Sequence, residues 1–132
     1  MSCSQAQMKD LSDFQWKNRL LIIYTTTDSP STLENQLVQI KKATKDFAER
    51  DLKVIILQDE KVKIWNSSAS HQLAYDQFIQ DLNIRTEKSY QNLLIGKDGW
   101  VKLREDSPIS NHKLFNTIDA MPMRKREMRD GN

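Results

Sequence analysis

The sequence predicts an α/β sandwich in the order β-α-β-α-β-β-α, a four-stranded mixed sheet with helices on both faces. Three observations predict it. The runs "LLIIY" (20–24) and "DLKVIILQDE" (51–60) each hold a short, β-branched apolar stretch, the pattern of strands covered on both faces. Between and after them, apolar residues recur at helical spacing. Late in the chain, "YQNLLIGKDGWVKLRED" (90–106) sets two extended runs on either side of a KDG turn.

The elements follow in order. A polar leader, residues 1–9, precedes a single domain expected over 10–129. Phe14 and Trp16 lead into the first strand. The segment "STLENQLVQIKKATKDFAERD" carries Leu33, Leu37, Ile40 and Phe47 on one helical face, and Ser31 with Glu34 has capping-box spacing just after Pro30. Strand, helix and strand within about forty residues make a βαβ unit with a parallel pair the default. "KVKIWNSSASH" reads as a loop, with Ser68 or Ser70 placed to cap a helix that carries Tyr75, Phe78, Ile79 and Leu82. In the hairpin, Val101 and Leu103 alternate with Trp100, Lys102 and Arg104. Ser110 is placed to cap a last helix bearing Leu114, Phe115, Ile118 and Met121. Pro122 then ends that helix or opens a turn carrying the basic stretch "RKREMR" (124–129). This is the core order of a thioredoxin-like sandwich.

Composition bounds what such a domain can do. The chain has 132 residues, enough for one core that buries roughly two-thirds of the unfolded surface. Hydrophobic residues make up 38% and charged residues 29%, a globular balance; three glycines and three prolines argue against a glycine-rich phosphate loop. Net charge is +2, so the surface as a whole exerts no strong pull on a polyanion and no nucleic-acid partner is expected. The local exception is the basic C-terminal segment, read as a solvated face. The longest apolar run is far too short to span a bilayer, and no apolar signal region follows Met1. A soluble chain is therefore expected. Had an export signal been removed, Cys3 would sit near the new start as a lipidation site.

Cys3 is the sole cysteine, which excludes an intrachain disulfide, a CxxC pair and a cysteine-based zinc site. In a thioredoxin-like fold the reactive thiol sits where the first core strand meets the next helix, whose N-terminus favours the thiolate. Here that position reads "TTTDSPST", with no cysteine or histidine. A threonine hydroxyl is almost wholly protonated at neutral pH and needs an adjacent base. The residues before "NLLIG" are "EKSYQ", so the proline that usually faces the thiol is missing too. The loop reads as a strand end and helix cap, or as a ligand contact through Thr27, Asp28 and Ser31. His71 and His112 lack a second ligand at motif spacing, so no metal and no cofactor are expected. Trp100 reads as a packing residue on the sheet or, if exposed, a partner anchor.

The stretches "LSDFQWKNRLLIIY" and "LLIGKDGWVKLREDSPISNHKLFNTIDAMPMRKREMR" carry a resemblance over roughly residues 10–129. The chain resembles the peroxiredoxin-like, thioredoxin-fold domain of unknown function found in small bacterial proteins and in vertebrate extracellular sushi-repeat-containing and coiled-coil-domain-named proteins. The resemblance implies that fold, frequent export and no established reaction. Its pattern falls on Phe14, Trp16 and Arg19, on Lys97, Asp98, Gly99, Lys102 and Arg104, and on Asp119, Met121, Pro122, Arg124, Glu127 and Met128. Trp100 stands where a small residue is expected.

By period two, Lys102 and Arg104 share a strand face, and Arg124 follows a helix that should pack on that sheet. Asp119 is placed to pair with one of them. The set Lys97, Asp98, Lys102, Arg104, Asp119 and Arg124 is therefore either an ion-pair network pinning the C-terminal segment or a site for an anionic ligand or partner. The expectation is a non-catalytic binding or structural module with a protein partner. The alternative is a redox-linked, peroxiredoxin-like enzyme or accessory using Cys3 or a partner's thiol.

Overall fold

A computed structural model describes residues 14–26, 30–65 and 75–130. Strands β1 (Arg19–Thr25) and β2 (Leu52–Gln58) run parallel, with Arg19 opposite Leu52 and Tyr24 opposite Leu57. They are linked by α1 (Pro30–Lys41) and α2 (Thr44–Glu49). A short strand β3 (Lys61–Ile64) returns antiparallel to β2. Then come α3 (Tyr75–Asp81), the hairpin β4 (Tyr90–Ile95) and β5 (Val101–Glu105), and the helices α4 (Asn111–Asp119) and α5 (Pro122–Asp130). The sheet order is β3-β2-β1-β4-β5, with β4 antiparallel to both of its neighbours.

Alternation along the central strands feeds two cores. Leu20, Ile22, Ile55, Leu57 and Leu93 face α3, where Phe78 and Leu82 meet them. Leu21, Ile23, Val54, Ile56 and Leu94 face α1, α2 and α4 through Ile40, Phe47, Leu114 and Ile118. Both faces are covered, and all seven positions of β1 are buried.

The structure departs from expectation in four places. The sheet has five strands, not four. β3 escaped notice because Asp59 and Glu60, both at positive φ (54° and 59°), form the two-residue turn without the glycine or asparagine that usually marks it. The single helix expected over 31–51 is two, because the Ala43 amide closes on Ile40 and the chain bends there. Ile40, Ala43 and Phe47 all lie in the core on that face of the sheet, and packing overrides a run of good helix formers. α1 begins at Pro30, so Ser31 lies in its first turn instead of capping it; proline suits that opening position. The basic tail is a helix opened by Pro122. Ser110 caps α4 as expected, accepting from the Lys113 amide at 3.1 Å.

Candidate functional site

The first region of interest is the C-terminal end of β1. Thr25 is buried and its hydroxyl donates to the Thr26 carbonyl at 3.0 Å. The Thr26 amide donates to the Ser89 carbonyl at 3.0 Å, which ties this end to the residues leading into β4. Thr27 and Asp28 lie outside the described residues, as do Cys3 and His71; Ser31 is exposed. His112 is exposed on α4, 3.0 Å from Asn116. Among the described residues, no three histidine, cysteine or acidic side chains gather as a metal site.

Beside this end lies a cluster of neutral amides that sequence reading missed. Gln36 on α1 is fully buried; its Nε2 donates to the Ile109 carbonyl at 2.9 Å. Its Oε1 accepts from Asn92 Nδ2 at 2.6 Å, from the Ile109 amide at 2.8 Å and from the Tyr90 hydroxyl at 3.3 Å. Asn92 also donates to the Ser107 carbonyl. Burial pushes Tyr90 up to about 12, against a smaller opposing hydrogen bond with Asn92, so the hydroxyl stays neutral.

The opposite end, where β1 and β2 begin and β4 ends, is ionic. Arg19 is fully buried, and its two terminal nitrogens donate to the two Glu127 oxygens at 3.1 and 3.2 Å. Nη1 also reaches the Arg50 carbonyl at 2.9 Å. Lys97 bridges Glu127 and Asp51 at 2.6 and 2.8 Å. Arg124, 4% exposed, donates to Asp119 at 3.1 Å and Glu49 at 2.9 Å. Arg50 makes a fork of two bonds to Asp119, at 3.1 and 2.9 Å, and lies over the Phe115 ring at 4.3 Å.

Burial alone would raise Glu127, but its hydrogen bonds and charge pairing with Arg19 and Lys97 outweigh that and hold it below its ordinary value of 4.5. For Asp119, Arg50 and Arg124 likewise overcome burial and keep it below 3.8. The network therefore joins α5 to the α2–β2 turn, the start of β1 and the hairpin loop. Asp119 and Arg124 do come together, in the pinning arrangement. The strongest missed member is Arg50; Arg19 carried a signal, since an arginine opening a strand buried at every position needs a partner.

Lys102 and Arg104 do not share a face, and this corrects the period-two expectation. Val101 lies opposite Ile95 but Leu103 opposite Leu94, so Lys102 is an extra residue at a register shift. Lys102 pairs with Asp98 at 2.9 Å, whereas Arg104 reaches across to the Leu82 and Asn83 carbonyls at 2.6 and 3.3 Å. There it satisfies carbonyls at the end of α3. Asp98 also accepts from the Trp100 amide at 3.0 Å. Gly99 holds φ +88° in the hairpin turn, a value glycine tolerates. Trp100 is 70% exposed and does not pack on the sheet.

These features define an α/β protein of the thioredoxin-like class. Residues 10–127 match the family model described as a domain of unknown function, DUF4174, and the chain belongs to that family. No curated protein matches the chain. It is similar in structure to the reduced 2-Cys peroxiredoxin of Plasmodium vivax, with TM-score 0.61, 17% identity and coverage of 92% of this chain and 72% of that one. The mitochondrial 2-Cys peroxiredoxin of Plasmodium falciparum is similar at TM-score 0.57, 15% identity and coverage of 92% and 84%. At such identity the likeness is one of fold. Among the described residues, no helix is long and apolar enough to cross a membrane.

Proposed function

We propose that this domain is a non-catalytic, peroxiredoxin-like binding or structural module whose ligand is a protein partner. The observation that carries it is the end of β1: hydroxyl side chains stand where the fold keeps its reactive thiol, and Thr26 is occupied with the Ser89 carbonyl. Side chains of this kind offer hydrogen bonds without a nucleophile at neutral pH. The charged residues of the C-terminal stretch serve chiefly to dock α5, which leaves the surrounding loops as the recognition surface. The likeness to peroxiredoxins favours a second reading, in which Cys3 or a partner's thiol serves a redox-linked enzyme or accessory. If the chain is exported, that partner is extracytoplasmic.

Peroxide and disulfide turnover by the wild type beside a Cys3→Ser variant decides between them. The binding-module reading expects both proteins at the background of a free thiol. Turnover lost in Cys3→Ser would overturn it in favour of the redox reading, and turnover that survives the substitution would overturn both.

A further inference from the structure

At the ionic end of the sheet a cleft of about 260 Å³ opens between the start of α5 and the hairpin loop. Its walls are apolar: Trp16, Met121, Pro122 and Met123. Trp16 is 62% exposed and holds φ +68°, an unfavourable backbone for a bulky side chain, fixed by its amide donating to the Lys97 carbonyl. The Gln15 side chain donates to the Asp98 carbonyl and holds the same loop. The mostly exposed Trp16 side chain and the two methionines together line this apolar part of the cleft.

The rest of the lining is cationic. Arg19, Lys97 and Lys102 face Asp98 as the one carboxylate in that lining. Both Asp98 oxygens are already engaged, by the Trp100 amide and by Lys102. Donors remain. An ammonium group has three N–H bonds, and the contacts described account for two on Lys97 and one on Lys102. Arg19 spends its terminal nitrogens on Glu127 and the Arg50 carbonyl, and its Nε is buried with no hydrogen-bond partner among the described residues.

We infer that this cleft binds a carboxylate carried on an apolar body, with the carboxylate on the cationic side and the body between Trp16 and Met123. A small aromatic or aliphatic acid and the C-terminal residue of a peptide share this chemistry. The inference rests on the binding-module reading and gives that reading a place. The turnover assay judges that reading and the titration below judges this site, so the two failures are distinguishable.

The test is an NMR titration of the ¹⁵N-labelled full chain with phenylacetate and, separately, with an acetylated tetrapeptide ending in a free phenylalanine. The amides of Gly96 and Gly99 and the Trp16 indole should shift, with an affinity of about 1 mM or tighter. Phenylacetamide and the C-terminally amidated peptide should bind at least about tenfold more weakly, because they lack the charge. Trp16→Gly keeps the fold, since glycine accepts that φ, and Lys102→Met changes a residue on the exposed hairpin. Each should weaken binding about fivefold or more. Shifts with the peptide alone would assign the site to a protein C-terminus, and shifts with phenylacetate alone to a small acid. Equal binding of acids and amides, shifts unaltered in both variants, or no shift with either acid at about 20 mM would overturn the site.

Discussion

The two ends of the central strand are held by different chemistry. At the C-terminal end of β1, Gln36, Tyr90 and Asn92 join α1 to the sheet through neutral hydrogen bonds. At the N-terminal end, Arg19, Lys97 and Arg124 join α5 to the sheet through Glu127, Asp119 and Glu49. The amide cluster itself, Gln36, Tyr90 and Asn92, contains no carboxylate and no histidine. The ionic end depends on carboxylates staying charged. The lesson is that in this domain the buried guanidinium pairs, Arg19 with Glu127 and Arg124 with Asp119, gather at the opposite end of β1 from the position where a thioredoxin-like protein carries its thiol, where they fasten the last helix, while the pairs Lys88–Asp106 and Lys113–Glu105 are more exposed.

The sharpest way to break the contrast is to remove Gln36. Gln36→Leu strips partners from the Ile109 amide and carbonyl, Asn92 and the Tyr90 hydroxyl, and should cost about 4 kcal/mol in urea unfolding, since each buried unmet group costs roughly 1–3. That loss should be the same at pH 7 and at about pH 4.

Arg19→Met comes next. It leaves Glu127, whose side chain is 27% exposed, without its forked partner and should cost about 3 kcal/mol near pH 7. A double variant, Arg19→Met with Glu127→Leu, should recover part of this, because it removes a carboxylate left with Lys97 and Arg124 alone. A double variant as unstable as the single one would show that packing, not charge, is lost.

Acid sharpens the same contrast. Folding holds Glu127 and Asp119 below their ordinary values of 4.5 and 3.8, so their contribution is complete above those values. It is lost as pH falls through the lower folded values. Stability against urea should therefore drop steeply below about pH 4.5, and Glu127→Gln should flatten the drop while lowering stability near neutrality. An unchanged acid slope in Glu127→Gln would remove this residue from the account.

Smaller effects follow from the loops. Gly99→Ala places a side chain at φ +88° and should cost about 1 kcal/mol by thermal unfolding. Thr26→Val removes only a long 3.5 Å contact to the Ser89 carbonyl and should change stability by less than about 0.5 kcal/mol. A large loss in Thr26→Val would reveal a structural duty at the thiol-equivalent position.

What the sequence determined alone was the sandwich. Continuous apolar runs and helical spacing reflect burial, which each segment encodes locally, so β1, β2, the β4–β5 hairpin and the Ser110 cap were legible. It also determined that the end of β1 holds hydroxyls and no thiol. Four things were decided only by the tertiary structure. The Asp59–Glu60 turn adopts positive φ because the strands it joins demand that twist, so β3 had no marker. The chain bends at Ala43, whose amide closes on Ile40 inside a run of good helix formers, so the bend had no local marker. The register shift at Lys102 parts it from Arg104, and the meeting of Arg19 with Glu127, 108 positions apart, depends on how α5 lies on the sheet. Charges carry no period that says which partner they will find. Hydrophobic pattern is read along the chain, whereas ion pairing is settled only when distant elements come together.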